Sequence, residues 1–287
     1  MDHKMKSLLR FALFFLLSFF LVSATVALAQ RSSQRQRHWH DDDTHMRRNG
    51  VELEIFRETV EKTVAATSGA RIKVDPDEFG GIMITGWDRE EVKLVAKKKA
   101  AAITQDEARD IASKVQIIAE ARGGAVDIRA EGPRRHEDTF WSVSFELFVP
   151  KRSDLDLRAK FGGISIEEVS GDIRFNTEFG GIDLSRVSGS VVGETKFGGV
   201  TVELEGDQWN GERLDVSTKF GGITARIPRG YSAELEMGTS FGSLNVDFPI
   251  TVQGRIRNTK EIKTQIGFGG APIRLVTEFG GVSIKER

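Results

Sequence analysis

Residues 161–199 read FGGISIEEVSGDIRFNTEFGGIDLSRVSGSVVGETKFGG, and within them one phrase, Phe-Gly-Gly, returns at even intervals, at positions 161, 179 and 197. Between the phrases, Asp172-Ile173-Arg174-Phe175-Asn176-Thr177-Glu178-Phe179 alternates polar and apolar residues, the period-two pattern of a strand with one buried face. Ile182 and Leu184 resume the pattern after the glycines, and Val187-Ser188-Gly189 turns the chain again. Each unit thus predicts two short strands joined by two glycine-bearing corners. Extended chain of one unit's length reaches at most about 60 Å. That length suits one circuit around a thin apolar core and is too short for a hairpin of ordinary strands with its loops. Successive circuits are expected to pair in parallel, with like residues stacked about 4.8 Å apart.

The phrase extends well beyond this stretch. It stands at Phe79, Phe161-Gly162-Gly163, Phe179-Gly180-Gly181, Phe197-Gly198-Gly199, Phe220-Gly221-Gly222, Phe268 and Phe279, with a degenerate copy at Phe241-Gly242-Ser243. After Phe197 the even spacing is lost, as the positions of Phe220, Phe241, Phe268 and Phe279 show. The fold class read from this pattern is all-β, a parallel β-solenoid of seven or eight coils, with an antiparallel β-sandwich as the alternative. Paired glycines suit a tight repeated bend, because glycine tolerates close backbone approach. The phenylalanine before each bend is expected to fill the inside of the corner and to stack on its neighbours, which adds about 0.5–1.5 kcal/mol per ring pair. Lys160, Glu178 and Lys196, each just before a phenylalanine, would place opposite charges one coil apart and favour correct register. Thr177, Thr195, Thr218 and Thr277, two residues before it, form an inward or corner ladder.

Upstream, VELEIF from Val51, then ARIKV, GIMITGW and EVKLVA, alternate as strands, and AVDIRAE and TFWSVSFELFVP continue them. One segment departs from the pattern. Thr104 with Glu107 makes a capping box, Ala108, Ile111, Val115 and Ile118 recur at helical spacing, and Gly123-Gly124 supplies a stop. An inserted helix over about 104–121 is predicted, lying against the strand array. At the start of the chain, Lys4, Lys6 and Arg10 precede the apolar run Phe11–Ala24 and the small-x-small pattern Ala27-Leu28-Ala29. Residues 1–29 therefore read as a signal peptide, 30–50 as a polar disordered linker, and 51–287 as the β-repeat domain. Export is expected, to the periplasm or outside the cell.

The chain contains no cysteine, so it must be held by burial and hydrogen bonding alone. Without residues 1–29 it carries 38 basic and 41 acidic residues, a balance that gives no reason to expect nucleic acid. No nucleophile system is visible, and His136 stands by itself in a charged loop. His38, His40 and His45 flank three aspartates and are weak candidate metal ligands in what reads as a solvated linker. Asp172, Asp183, Arg174 and Arg186 are the residues an outer-face carbohydrate-active site would draw on, and alternation alone also produces them. Trp87 and Trp141 are candidate sugar platforms, or core plugs. No cofactor is implied.

Three features resemble the bacterial putative-adhesin β-strand-repeat family, a domain of unknown function. They are GARIKVDPDEFGGIMITGWDREEVKLVAKK, the segment from Val149-Pro150 to Leu157, and the GGI-x-[IL]-x-x-VSG-[DS]-[IV] units at 162–173 and 180–191. The resemblance covers roughly residues 65 to 285, and Phe-Gly-Gly stands here where commoner members carry Asn-Gly. It implies a solenoid-like β fold at the bacterial envelope and brings no catalytic residues. The expected function is a non-enzymatic binding, adhesion or scaffolding module, its partner an envelope protein or a glycan, with end-to-end self-association through the strand at Val282–Ile284 as one mode. A carbohydrate-active enzyme on the same scaffold, or an envelope-stress component, are the alternatives.

Overall fold

The computed structural model describes residues 45–48, 50–247 and 260–287. The signal segment, most of the 30–50 linker and the imidazoles of His38, His40 and His45 lie outside the described residues. The strands fall into two sheets, both mixed.

The N-terminal part comprises β1 (His45–Arg48), β2 (Val51–Ala65), β3 (Ala70–Asp75), β4 (Ile82–Trp87), β5 (Glu91–Ala102), α1 (Gln105–Lys114), β6 (Gln116–Arg122), β7 (Ala125–Glu131) and β8 (Phe140–Pro150). β1 falls inside the segment read as linker and lies beside β2 in the first sheet. β2, β5 and β8 pair antiparallel, then β8 pairs parallel with β4, which opens the parallel run. The helix starts where the sequence places it. Thr104 Oγ1 accepts from Glu107 N at 3.3 Å, and Glu107 Oε2 accepts from Thr104 N at 3.3 Å. Its predicted end at 121 is wrong. The helix stops at Lys114, and residues 116–122 form β6, antiparallel to β7. Gly123 and Gly124 have φ of 57° and 79°, so they are the two left-handed residues of a tight hairpin turn, not a helix stop. Pairing with β7 gives residues 116–122 a full backbone ladder, and this outweighs the helical spacing of Val115 and Ile118.

The repeats follow as β9 (Ser153–Phe161), β10 (Ile164–Glu167), β11 (Ser170–Phe179), β12 (Ile182–Ser185), β13 (Ser188–Phe197), β14 (Val200–Glu203), β15 (Arg213–Phe220) and β16 (Ile223–Ile227). Odd strands lie in one sheet and even strands in the other, so each unit contributes one strand to each. Every pairing between successive units is parallel and in register, for example Ile173 with Leu155 and Val191, and Ile182 with Ile164 and Val200. The units do not fold back on one another as hairpins would. Apolar residues of both sheets meet between them: Ile164, Ile166, Leu155, Leu157, Ile173 and their equivalents are almost fully buried. Gly193 makes room for the Phe175 ring of the adjacent unit, whose nearest atom lies 2.1 Å from where a Cβ would stand.

The stack then leaves sequence order. β17 (Ala233–Phe241), β18 (Leu244–Val246), β19 (Glu261–Ile266), β20 (Pro272–Phe279) and β21 (Val282–Glu286) complete it. The last pair, β20 and β21, slots between β15–β16 and β17–β18, and pairs in parallel with both. β21 is therefore an interior strand. The expected open edge at Val282–Ile284 does not exist; the edges at this end are β18 and β19.

Candidate functional site

The residues that recur in every unit converge on one corner, between the two sheets. Its inner side is lined by Thr177, Thr195, Thr218, Thr239 and Thr277, all buried. Each hydroxyl donates to a glycine carbonyl of the adjacent unit: Gly162 O, Gly180 O and Gly198 O at 2.9 Å, Gly280 O and Gly221 O at 2.8 Å. In the unit of Phe161 the equivalent position is Ala159. Main-chain bonds run on through the bend, with Gly162 N to Phe179 O at 2.9 Å and Gly180 N to Phe197 O at 3.0 Å. Replacing Thr195 with valine keeps the shape but removes the donor to Gly180 O. A loss of about 1–2 kcal/mol is expected, read as a lower urea midpoint at unchanged slope.

The two glycines of the phrase have different duties. A Cβ on the first would lie 2.0 Å from Gly162 O at Gly180, and 2.0 Å from Gly180 O at Gly198. On the second, the nearest atom is 3.4 Å away at Gly181 and 3.6 Å away at Gly199. Only the first position demands glycine, and Ser243 occupies the second in the degenerate copy without strain.

The phenylalanines do not fill the inside of the corner. The threonine and the close backbone approach leave no volume there, and the ring turns outward. Phe161, Phe179, Phe197, Phe220 and Phe279 are 37–43% exposed and Phe241 is 65% exposed. With half-buried Phe79 they form an external row, in the spatial order 79, 161, 179, 197, 220, 279, 241. Successive centroids are 4.8–4.9 Å apart and the planes within 3–12° of parallel. Since carbon contact occurs at about 3.5–4.0 Å, the rings are offset, as their quadrupoles prefer. Phe268 does not belong to this row. It sits at the Gly267–Gly270 bend between β19 and β20 and is 97% exposed.

Arg135 closes one end of the row, 5.1 Å from the Phe79 centroid and 3.8 Å from that of Trp141, while Phe140 meets Phe79 edge-on at 5.0 Å. Sequence reading missed this cap, because Arg135 and Phe140 lie outside the repeats. Beside the rings runs a charged row whose sign alternates from Glu78 to Lys196 and then repeats at Lys219 before Glu278. Lys160 meets Glu78 at 2.8 Å, Lys196 meets Glu178 at 3.4 Å, and Lys219 meets Glu278 at 3.7 Å. The hydrogen bond to Glu78 holds the Lys160 ammonium above its ordinary pKa. These pairs are exposed and each contributes only tenths of a kcal/mol up to about 1 kcal/mol, so their weight is in register.

The other sequence candidates do not assemble. Asp172 lies on β11 and Asp183 on β12, in different sheets. Arg174 pairs with Asp172 at 2.7 Å, and Arg186 with Glu167 and Glu168. Trp141 is buried and donates to Pro133 O at 2.8 Å. Trp87 donates to Glu91 O at 2.8 Å, with Arg89 over its ring at 4.9 Å and Phe148 at 5.6 Å. His136 borders a shallow depression of about 200 Å³ together with Ile111, Lys114 and Thr139. Among the described residues no group of three or more His, Asp or Glu is placed to hold a metal ion, and no helix is long and apolar enough to cross a membrane.

No protein-family model and no curated protein matches the chain. Solved structures similar to it include a putative cell adhesion protein from Clostridium sporogenes, with 11% identity and a TM-score of 0.41 over 81% of this chain and 100% of that one. A putative adhesin from Bacteroides fragilis gives 11% and 0.41 over 80% and 97%. A putative lipid binding protein from Parabacteroides distasonis gives 11% and 0.23 over 84% and 98%. Two of the three are named for adhesion, as is the family that the residue patterns resemble. At these identities and scores the likeness assigns no ligand and no activity.

Proposed function

We propose that this chain is an exported, non-enzymatic binding or scaffolding module of the bacterial envelope, periplasmic or extracellular, whose repeats wind as a β-solenoid. The observation that carries the reading is the external row of seven rings. Soluble chains bury such rings when they can, and a continuous apolar strip on a rigid stack is a feature of contact surfaces. The parallel, in-register pairing of successive units supports the solenoid. The signal-like residues 1–29 support export. The dispersal of Asp172 and Asp183 over two sheets favours binding over glycoside chemistry, which needs two carboxylates facing one bond.

The test is capture from envelope extracts by the tagged full chain, produced in an exporting bacterial host, beside the same chain carrying Phe197→Glu. Ring-dependent capture is expected, with the variant retaining its far-UV spectrum and losing its partners, and a glycan array showing no ring-dependent signal. Equal capture by both chains would remove the ring row as the binding surface.

A further inference from the structure

We propose that the ring row is the self-association surface of this protein, pairing two copies side by side and antiparallel about a two-fold axis that passes beside Phe197. This deepens the binding-module reading and rests on it, by naming a second copy of the chain as the occupant of the row.

The rings themselves limit the occupant. Because each interior ring is stacked on both sides, its faces are covered and only its edge reaches solvent; Phe241 at the end has a ring neighbour on one side alone. A sugar ring needs an aromatic face, so the row is poorly built for glycans. A lipid surface is also a poor match, since Glu78, Glu178 and Glu278 stand directly beside the rings and would have to enter the membrane with them. What fits is a second rigid row of ring edges with the same 4.8 Å repeat and the same length, and another copy supplies it.

Area agrees with this choice. Six of the rings are 37–65% exposed. At roughly 200 Å² per phenylalanine they leave on the order of 500 Å² of apolar surface per copy. Two copies would bury about 1,000 Å² from the rings alone, the level at which specific interfaces begin. The second glycines follow the rings in sequence, on the side opposite the preceding charges, and with a side chain there only at Ser243 the row stands clear for close approach.

The charges choose orientation and register. Two rows facing each other can run parallel or antiparallel. If parallel, the charged row of each copy faces the glycine row of the other and meets nothing. If antiparallel, charged row faces charged row. Along the stack the residues preceding the rings are Glu78, Lys160, Glu178, Lys196, Lys219 and Glu278, followed by Ser240. With all seven rings overlapped, Lys160 faces Glu278 and Glu178 faces Lys219, each twice, which sets four opposite-charge contacts against one like-charge contact, Lys196 with its own copy on the axis. Sliding by one coil one way sets Glu78 against Glu278 and Lys160 against Lys219, with Glu178 against Lys196 as the single opposite pair. Sliding the other way sets Glu178 against Glu278 and Lys196 against Lys219. In both neighbouring registers like-charge contacts outnumber opposite ones, the reverse of the full overlap. A slide of three coils restores opposite charges but overlaps four rings in place of seven. The full overlap combines the largest apolar area with a balance of opposite over like charges, and it is isologous, as a closed dimer requires.

Sedimentation velocity on the full chain from an exporting host tests the pairing, and the absence of native cysteine makes the register directly readable. The wild-type chain is expected to sediment as a dimer. Phe197→Glu, which sets two carboxylates against each other at the axis, should raise the dissociation constant at least tenfold. Lys196→Cys leaves every ring in place and should be joined to its own copy by a short bismaleimide. Lys160→Cys should not be, because its copy lies four coils away, and Lys160→Cys with Glu278→Cys should link again. If Phe197→Glu fails to fold, the cysteine variants decide. A wild-type chain that is monomeric throughout overturns the pairing, yet leaves ring-dependent capture of another partner standing. Self-linking of Lys160→Cys without self-linking of Lys196→Cys overturns the register in favour of the three-coil slide. Equal linking at every position, or a dimer indifferent to Phe197→Glu, overturns the interface.

Discussion

Gly180→Ala is expected to lower stability by about 3–5 kcal/mol, while Gly199→Ala changes it by less than about 1 kcal/mol in either direction. Chemically the two substitutions are the same, and they fall in consecutive copies of one motif. At Gly180 the new Cβ meets Gly162 O at 2.0 Å, the Gly162 carbonyl carbon at 2.4 Å and Gly163 N at 2.8 Å, all of them backbone. No side chain can move to relieve the contact. The coil must shift instead, and with it go the bond from Thr177 Oγ1 to Gly162 O at 2.9 Å and the bond from Gly162 N to Phe179 O at 2.9 Å. Overpacking costs typically about 1–3 kcal/mol, and each lost bond about 1 kcal/mol more. At Gly199 the nearest atom is Gly222 O at 3.6 Å, an ordinary contact. Urea titration followed by circular dichroism separates the two. A wild-type midpoint for Gly180→Ala would show that adjacent coils leave room for a methyl group at this corner, against the close approach of their backbones.

Leu275→Asp is expected to release two strand pairs at once, β20–β21 and β17–β18. Leu275 is fully buried on β20, between Val216 of β15 and Met237 of β17. An unpaired carboxylate there costs several kcal/mol, enough to undock its strand. In a stack built in sequence order, loss of the final coil would trim one layer and stop. Here the final coil is interior, and the coil of β17 and β18 is tied to the array through it: Gly280 N to Phe241 O at 3.1 Å, Val282 N to Ser243 O at 3.0 Å and Asp247 N to Ile284 O at 3.0 Å. Hydrogen exchange should show amides of 233–246 losing protection together with those of 272–286, while 153–203 stay protected, as nearest-neighbour coupling along a stack dictates. Retained protection at 233–246 would refute the insertion. The same arrangement makes formation of this end depend on contacts long in sequence, because residues 233–246 find their in-stack neighbour only once residues 272–286 are in place.

The candidate site was legible in part. The threonines, the charges and the phrase itself were all visible as letters recurring in the same order, evenly spaced from Phe161 to Phe197 and unevenly after it. Their direction at the bend was not. Strict alternation assigns Phe179 to the same face as Thr177, Phe175 and Ile173, and this holds for the last three, which are buried. At Phe179 the strand enters the corner, and side there is set by how closely the next coil's carbonyls approach, a distance that no single coil contains. The helix shows the same limit. Its start is a local matter of two hydrogen bonds between Thr104 and Glu107, readable from four residues. Its end was decided by a partner strand beyond Gly123-Gly124, whose backbone ladder competes with helical spacing that is equally plain in the sequence.

By itself, then, the sequence determined the unit: two strands, two corners, one threonine inward, one charge outward and a parallel stack of like on like, because each of these follows from interactions within a coil or between identical neighbours. The tertiary structure decided the order of the units in the two sheets and the exposure of the rings. Every coil offers the same residues at its edge, with Phe220, Phe279 and Phe241 interchangeable as letters, so the pattern cannot say which coil lies on which. That choice rests on the connections and on the packing of residues far apart in the chain. It places Phe279 inside the row and leaves Phe241 at its end.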